Sequence, residues 1–258
     1  MTPVLKATGI SVRFGGVRAV VDVDLEVGEG QLVGLIGPNG AGKTTFIDAI
    51  SGFVRCDGRI ELDGEDLTGA SPHVRARRGL ARTWQSIELF DDLSVGENVL
   101  VASHRTSAWR TIRETVSVPD SHSAEITPAL ALLGLEDTVE QMPSELSQGQ
   151  RKLVGIARAL APKPRIVCLD EPAAGLDTRE SEELGARLRG LADDGQAMLL
   201  VDHDMGLVLG ICDEVVVLEF GEVIARGAPE IVRSDPLVIG AYLGAAASRV
   251  AAGEDAHG

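Results

Sequence analysis

The chain has 258 residues, a formal net charge of −15 at pH 7 and 44% hydrophobic residues. This length can bury a full core and form one large domain with a smaller lobe. The excess of acidic residues argues against nonspecific binding to nucleic acid. Apolar stretches such as 197–201 and 207–212 are too short to cross a bilayer, and the first residues lack a signal-peptide layout. We therefore expect a cytosolic protein, or one that reaches a membrane only through a partner.

The first part of the chain predicts three β-strands, at 4–14, 19–27 and 31–36. Alternating apolar and polar residues are typical of half-exposed strands. The third strand runs into Gly37-Pro38-Asn39-Gly40-Ala41-Gly42-Lys43-Thr44-Thr45, which fits the phosphate-loop pattern G-x-x-x-x-G-K-[ST]. A helix is predicted directly afterwards, at 44–50. A strand before the motif and a helix after it are the context that the motif requires.

Each part of this loop has a chemical reason. Glycines allow a tight turn whose backbone N–H groups point at phosphate oxygens, and the helix N-terminus adds partial positive charge. Lys43 is expected to reach the β- and γ-phosphates, and the Thr44 hydroxyl to bind Mg²⁺. We therefore predict that a nucleotide binds here, held by Asn39, Gly40, Ala41, Gly42, Lys43, Thr44 and Thr45.

A short strand is predicted at 59–62, followed by a basic segment from His73 to Arg82. We interpret this segment as the solvated face of a helix that begins at Ser71-Pro72, with contact to a partner or to lipid headgroups as the alternative. The cysteines have no paired spacing, which favours ordinary buried thiols, and the histidines form no metal-ligand pattern. The three cysteines are Cys56, Cys168 and Cys212.

Residues 85–162 are predicted to be mainly helical, with a polar, weakly periodic segment from His104 to Ser123 that we interpret as a loop or marginal helix. An apolar run at 165–170 is typical of a buried parallel strand. A helix then opens at Asp177 with Glu180 three residues later, as in a capping box. The remaining predictions are a strand at 198–202, a hairpin at 214–218 and 222–225, and two short helices within 228–243. Strand–helix alternation with an inserted helical block predicts an α/β fold with a helical lobe.

Four further segments narrow the choice among phosphate-loop proteins. Leu146-Ser147-Gln148-Gly149-Gln150 opens a helix before the buried strand, and Asp170-Glu171-Pro172 ends that strand. Ala174-Gly175-Leu176-Asp177 follows directly, and His203 lies at the end of the next strand. Together with Gln85 in Arg82-Thr83-Trp84-Gln85, the order and spacing of these motifs resemble the ATP-binding cassette (ABC) family across nearly the whole chain.

The resemblance implies a single ABC nucleotide-binding domain over 1–258. Its P-loop ATPase core, with a mostly parallel sheet and an N-terminal antiparallel β-subdomain, would comprise 1–84 and 163–258. The inserted helical lobe would comprise 85–162 and carry the signature motif around Ser147. The expected fold class is α/β, and the expected ligands are ATP and Mg²⁺.

The carboxylates at the end of the buried strand have distinct expected roles. Asp170 can hold Mg²⁺, directly or through water, because a hard cation prefers carboxylate and water oxygens. Glu171 is placed to polarise a water for in-line attack on the γ-phosphate, the alternative being a solvated loop carboxylate. The resemblance implies that His203 hydrogen-bonds the γ-phosphate and the attacking water. It also implies that Gln85 contacts Mg²⁺ and that water, and links the core to the helical lobe.

Two motifs concern the rest of the nucleotide. Phe14 matches the aromatic residue on which adenine stacks in this family, with a plain core phenylalanine as the alternative. Ser147 at a helix N-terminus and the nearby Gly149 form a second anion-binding site. In the family this segment closes over the ATP of a second copy in a head-to-tail pair. Gln148 stands where glycine is usual, at a position that tolerates change.

Finer resemblance points to the ATP-binding subunits of branched-chain amino-acid (Liv-type) importers. It rests on Arg13 to Val17, Arg82 to Gln85 with Leu89-Phe90, Glu171 to Leu176 and Pro236 to Gly244. The implied partners are transmembrane permease subunits, a second ABC ATPase subunit and, indirectly, a solute-binding protein, with no nucleic acid. The implied location is the cytoplasmic face of the membrane, held by the permeases.

Other functions remain open at this point. Urea or short-amide importers and lipopolysaccharide-export ATPases share much of the pattern. A soluble cassette ATPase of DNA repair or translation is disfavoured, because the chain has neither a second cassette nor a long coiled-coil insertion. Ile87, Leu89 and Phe90 are candidates for contact with a permease, although they would equally suit packing inside the helical lobe.

Overall fold

The computed structural model describes residues 3–84, 89–103 and 129–242. Gln85, Ile87 and the segment 104–123 lie outside these ranges. The strands are β1 (Leu5–Phe14), β2 (Val17–Val27), β3 (Leu32–Ile36), β4 (Asp57–Leu62), β5 (Glu65–Asp66), β6 (Leu80–Arg82), β7 (Ile166–Asp170), β8 (Ala197–Val201), β9 (Glu214–Glu219) and β10 (Glu222–Gly227). The helices are α1 (Lys43–Ser51), α2 (Pro72–Arg78), α3 (Val95–Ser103), α4 (Gln148–Leu160), α5 (Thr178–Asp193), α6 (Met205–Ile211) and α7 (Pro229–Ser234). Residues 129–131 and 236–242 are also helical, and 3₁₀ turns lie at Glu136–Thr138 and Pro143–Glu145.

The strands form two sheets. The larger sheet has the order β10-β9-β3-β8-β7-β6, in which β10 pairs antiparallel with β9 and the other neighbours pair parallel. The smaller sheet has the order β2-β1-β4-β5 and is antiparallel. An N-terminal antiparallel sheet beside a mostly parallel sheet with helices confirms the predicted α/β fold class.

The larger sheet separates two hydrophobic cores. Every residue of β3, β7 and β8 is buried, as expected for parallel strands covered on both faces. Successive side chains of a strand point to opposite faces, so Val167 and Leu169 enter one core while Ile166 and Cys168 enter the other. The second core also contains the apolar face of the antiparallel sheet and of α1. The strand before the phosphate loop and the helix after it are therefore both anchored in buried cores.

Helices α3 and α4 pack against each other and share the first core with the large sheet. Asn98, which is fully buried, fixes the segment before α3: it accepts a hydrogen bond from the Phe90 N–H at 2.9 Å and donates to the Leu93 carbonyl at 3.0 Å. Leu89 is buried in this core, whereas Phe90 is 44% exposed. Of the apolar residues proposed for permease contact, Leu89 thus packs inside. The domain boundaries at 84/85 and 162/163 stay a prediction.

The basic segment is only in part the predicted solvated helix face, because His73, Arg77 and Arg78 are exposed whereas two of its arginines are not. Arg75 in α2 is 3% exposed and donates to the Ala49 and Ile50 carbonyls at 2.8 and 2.7 Å. A guanidinium there satisfies free carbonyls and the negative end of the dipole at the C-terminus of α1. The side chain of Arg82 is also buried, at the end of β6, which pairs with β7. The interpretation was wrong for these two arginines, since both serve internal contacts.

The cysteines are free, and two of them are buried as predicted, whereas Cys56 is only partly covered. Burial raises the pKa of Cys168 and of Cys212 to about 12, so both thiols stay protonated and inert. Across the part of the chain that the structure describes, no helix combines the length and the apolar content that a membrane crossing needs.

Candidate nucleotide site

The phosphate loop joins the carboxyl end of β3 to α1 and is wedged against neighbouring backbone. Gly37 has φ 150°, and a Cβ there would lie 2.1 Å from the Leu218 carbonyl oxygen. Gly42 has φ 104°, and a Cβ there would lie 2.4 Å from the Ala19 carbonyl oxygen. No side chain fits in either place. The sequence motif therefore requires these glycines for close approach to β2 and β9 as well as for the turn.

Lys43 folds back over the loop that precedes it. Its Nζ donates to the Gly37 and Pro38 carbonyls at 2.8 and 3.1 Å, and the residue is only 6% exposed. Burial lowers the pKa of Lys43, and the nearby carboxylates Glu171 and Asp170 oppose that shift. The lysine is therefore held ready beside the loop with little rotamer entropy left to lose.

A cleft of about 230 Å³ opens in front of this loop. Its lining contains the predicted phosphate-binding residues together with Glu171, and it adds Ala19 of β2, which sequence reasoning missed. Ala19 carries no chemical signal of its own. The lining residues are Ala19, Asn39, Gly40, Ala41, Gly42, Lys43, Thr44, Thr45 and Glu171.

Asp170 ends β7 and is 4% exposed. Its Oδ2 accepts from Arg82 Nη2 at 2.8 Å, and its backbone N–H donates to the Thr83 hydroxyl at 3.2 Å. The guanidinium of Arg82 also contacts Asp48 of α1 at 2.5 Å. The predicted metal ligand is thus already paired with a buried cation, a contact that sequence reasoning missed because Arg82 was interpreted as part of a solvated segment.

The donor set fits a magnesium ion that is shared with phosphate. Thr44 offers an exposed hydroxyl and Asp170 a carboxylate, and Mg²⁺ in nucleotide sites takes one or two such protein ligands plus phosphate and water oxygens. Among the residues that the structure describes, no group of three or more His, Cys, Asp or Glu side chains forms a metal site by itself. The third predicted ligand, Gln85, lies outside the described residues.

Glu171 follows Asp170 in a left-handed backbone conformation, with φ 47°. Such a conformation costs a non-glycine residue about 1–2 kcal/mol. It is held by a hydrogen bond from the Glu171 N–H to the Val201 carbonyl at 2.7 Å. The turn separates the two carboxylates: Asp170 is paired with Arg82, while Glu171 lines the cleft.

His203 lies near Glu171 without a hydrogen bond between them. Its Nδ1 is 3.8 Å from Glu171 Oε2 and 3.6 Å from Asp202 Oδ1, both too long for a hydrogen bond, and its side chain is 56% exposed. Asp202 is fully buried and accepts from the N–H groups of His203 at 2.7 Å and Ala173 at 3.2 Å. Asp202 therefore holds together the turn that carries His203 and the segment after Glu171. The sequence analysis assigned no role to Asp202, although an aspartate just after a buried strand is a signal for backbone capping.

The residues predicted to contact the rest of the nucleotide lie outside the cleft lining. Phe14 ends β1 and is 53% exposed, so the alternative of a core phenylalanine is wrong. Ser147 is the N-cap of α4: its hydroxyl accepts from the Gln150 N–H at 3.2 Å, and the Gln150 side chain accepts from the Ser147 N–H at 2.9 Å. Gly149 is half-buried near Glu180. The signature residues thus form an exposed helix start of their own.

The C-terminal helical residues reach the phosphate loop. Tyr242 packs against the first core, and burial raises the pKa of its phenol to about 12, while the Gly37 backbone opposes that rise. Sequence reasoning included Tyr242 only as a point of resemblance. The Tyr242 hydroxyl lies near the first glycine of the loop, and it is buried without a hydrogen-bond partner among the described residues.

The fold and the cleft define a phosphate-loop nucleotide-binding protein. Residues 20–174 match the family model described as "ABC transporter", and residues 222–248 match the model "Branched-chain amino acid ATP-binding cassette transporter". The chain belongs to the ABC transporter family. Within that family it is an ATP-binding cassette of the branched-chain amino-acid type.

Two curated relatives match almost end to end. The chain is 40% identical to the high-affinity branched-chain amino acid transport ATP-binding protein BraF of Pseudomonas aeruginosa, over 95% of this chain and 99% of that protein. It is 39% identical to the protein LivG of Escherichia coli, whose name describes the same activity, over 95% of this chain and 99% of LivG.

Solved structures show the same fold. The ADP conformation of MJ1267, an ATP-binding cassette of an ABC transporter, matches with a TM-score of 0.81 and 30% identity over 95% of this chain and all (100%) of that chain. A dimeric structure of the bacterial cassette MJ0796 matches with a TM-score of 0.72 and 25% identity over 87% of this chain and 98% of that chain. These likenesses confirm the predicted cassette fold.

Proposed function

We propose that the chain is the ATP-hydrolysing subunit that powers uptake of branched-chain amino acids through separate permease subunits. The observation that carries this proposal is the match of residues 222–248 to the branched-chain cassette model, joined to nearly full-length similarity with BraF and LivG. That segment favours branched-chain amino acids over urea, short amides or lipopolysaccharide. The phosphate loop and the cassette fold support ATP hydrolysis as the energy source.

In the proposed mechanism, residues of the cleft bind the phosphates and activate water. The loop N–H groups and Lys43 hold the β- and γ-phosphates, where charge develops during transfer. Glu171 accepts a proton from the attacking water, because it lines the cleft beside the loop. His203 orients that water and the γ-phosphate from the turn that Asp202 stabilises.

Thr44 and Asp170 would hold Mg²⁺, with Gln85 as the third protein ligand. When bound there, Mg²⁺ neutralises phosphate charge during transfer. Phe14 stacks on the adenine base, an interaction that its exposed ring permits. This assignment completes the nucleotide contacts from one subunit.

The second half of each site comes from a partner subunit. Ser147 and Gly149 do not line the cleft of their own chain, and Ser147 is exposed. The likeness to the dimeric structure of MJ0796 supports pairing of two subunits. In the proposed pair each signature segment closes over the other subunit's ATP. The partner is a second copy or a homologous ABC ATPase.

The pair lies at the cytoplasmic face of the membrane and is held there by transmembrane permeases. A solute-binding protein delivers the solute to these permeases. Phe90 remains the described candidate for permease contact, since it is 44% exposed at the start of the helical lobe. We keep 85–162 as that lobe, and 1–84 with 163–258 as the ATPase core. No nucleic acid takes part.

Uptake measurements test this proposal. Deleting the gene should abolish high-affinity uptake of labelled leucine, isoleucine and valine in the native organism. Wild-type chain should restore uptake and Lys43→Ala should not, while purification from membranes should recover integral permeases. Unchanged branched-chain uptake, or recovery of ribosomes or DNA without any integral membrane protein, would contradict the proposal.

A further inference from the structure

We propose that Arg82 is a positioning residue that acts as the resident counter-ion of Asp170 and limits binding of divalent cations before nucleotide arrives. The inference rests on the proposed role of Asp170 as a metal ligand. As counter-ion, the Arg82 guanidinium pairs with the Asp170 carboxylate while no Mg²⁺ is bound. When Mg²⁺ binds, the cation replaces the guanidinium as the partner of that carboxylate.

The geometry puts one buried cation between two carboxylates. The Arg82 side chain is 5% exposed, and its two terminal nitrogens contact Asp170 at 2.8 Å and Asp48 at 2.5 Å. The Asp170 side chain is likewise 5% exposed, and the Asp48 side chain is 26% exposed. Arg82 Nε is buried and has no hydrogen-bond partner among the described residues. Among the described residues, the hydrogen bonds of the guanidinium are therefore made by its two terminal nitrogens and not by Nε.

The charges explain why Arg82 opposes a free cation. Within the cluster of Arg82, Asp48 and Asp170, two carboxylates and one guanidinium leave a net charge of −1. Lys43, Glu171 and Asp202 lie close to this cluster and act equally on a free and on a nucleotide-bound cation. A divalent ion placed beside Asp170 must compete with a guanidinium hydrogen-bonded to the same carboxylate, in a buried setting where solvent screens weakly. ATP brings phosphate oxygens that add negative charge and ligands. Mg²⁺ then binds with the nucleotide rather than before it.

Arg82 also contacts a pair of aromatic rings at the end of β6. Its Cζ lies 4.3 Å from the Trp84 ring centroid and 6.0 Å from that of Phe53. The two rings meet edge to face with centroids 4.9 Å apart. A guanidinium that loses part of its hold on Asp170 keeps Asp48 and these ring faces as partners. Trp84, the residue before Gln85 in sequence, is therefore placed to sense metal binding.

The first experiment measures Mn²⁺ binding to nucleotide-free protein by electron paramagnetic resonance. Arg82→Gln should bind Mn²⁺ roughly tenfold more tightly than wild type, because a competing positive charge is removed. Arg82→Lys should stay near wild type, since it keeps the charge. Asp48→Asn, the matched control on the other carboxylate, should bind Mn²⁺ no more tightly than wild type. Unchanged Mn²⁺ affinity in Arg82→Gln overturns the inference, because a purely structural arginine would leave it unchanged.

A second measurement covers the case in which Arg82→Gln does not fold. The chain has two tryptophans, so Trp109→Phe leaves Trp84 as the fluorescent reporter. Adding Mg²⁺ to the ADP-bound Trp109→Phe protein should change Trp84 emission, with saturation at the concentration where the cation binds. An emission that does not respond to Mg²⁺ overturns the inference.

Asp170→Asn separates this inference from the proposed function on which it rests. With ADP present, Asp170→Asn should weaken Mn²⁺ binding at least tenfold. If it does not, Asp170 is not the metal ligand, and the Mg²⁺ assignment within the proposed function fails as well, whereas the uptake test of that function is unaffected. If it does while Arg82→Gln behaves as wild type, only the role of Arg82 is lost.

Discussion

The phosphate loop and the signature segment both contain glycine and both lead into a helix. They differ in whether the first backbone N–H groups of that helix have partners within the chain. Helix α1 begins after Gly42, which offers no side-chain cap, so its first N–H groups are left for a ligand. Helix α4 begins after Ser147 in a full capping box, so its first N–H groups are partly satisfied within the chain. At α1 the missing cap leaves backbone N–H groups available to an anion, whereas the cap of α4 satisfies its helix start without a ligand.

The glycines of the two segments also differ in how closely neighbouring atoms surround them. Gly37 and Gly42 are fixed by neighbouring carbonyls, whereas a Cβ at Gly149 would meet only the flexible end of Glu180, at 3.1 Å. The phosphate loop packs tightly against neighbouring strands, whereas the signature segment lies at the surface. The Ser147 hydroxyl accepts from Gln150 and keeps its own proton free to donate. We infer that the loop holds nucleotide alone and that the signature acts only on a partner's nucleotide.

The largest expected effect is on turnover, through Glu171→Gln. Removing the base should lower ATP hydrolysis roughly 10²–10⁴-fold while ATP binding persists, because the loop and Lys43 are untouched. ATP should then hold two subunits together as a stable dimer. Phosphate release and size-exclusion chromatography with ATP measure these outcomes. Glu183→Gln, on the exposed face of α5, is the matched control; hydrolysis at the wild-type rate in Glu171→Gln would remove Glu171 as the base.

Lys43→Ala tests whether the loop half binds nucleotide by itself. A charge-assisted hydrogen bond contributes about 1.5–3 kcal/mol, so the affinity of a single subunit for ATP should fall roughly 10- to 150-fold. Isothermal titration at protein concentrations where no dimer forms gives the value. Lys6→Ala, which removes an exposed ion pair with Glu26, should bind ATP as wild type does. Equal affinities in the two variants would contradict the phosphate-cradle assignment.

The same contrast explains what could be predicted from the sequence. The phosphate loop, the buried strand before Asp170 and the capping box at Asp177 carry local signals, and the structure has each of them within a residue or two. Strand β6 has three residues, too few for a periodic pattern, and exists because it pairs with β7. The burial of Arg75 likewise depends on carbonyls at the distant end of α1. Contacts made across the fold, such as those of Arg82 and Asp202, were therefore missed.

The smallest expected effect on a single subunit comes from Ser147→Ala. Loss of the cap should cost about 1 kcal/mol of stability, measurable by urea unfolding. The affinity of one subunit for ATP should stay unchanged, since Ser147 is not part of its own cleft. Hydrolysis should nevertheless fall, because the partner's γ-phosphate loses a hydrogen-bond donor. A fall in single-subunit ATP affinity would mean that the signature contacts its own nucleotide.

Mixing two inactive variants decides between these arrangements. Consider a head-to-tail dimer of one Lys43→Ala subunit and one Ser147→Arg subunit. One of its two sites combines the intact loop of the Ser147→Arg subunit with the intact signature of the Lys43→Ala subunit. The mixture should therefore hydrolyse ATP well above either variant alone. If each signature instead served its own loop, every subunit would carry one broken site and mixing would restore nothing. Restored activity, titrated against the ratio of the two variants, thus places the closing half of the site on the partner.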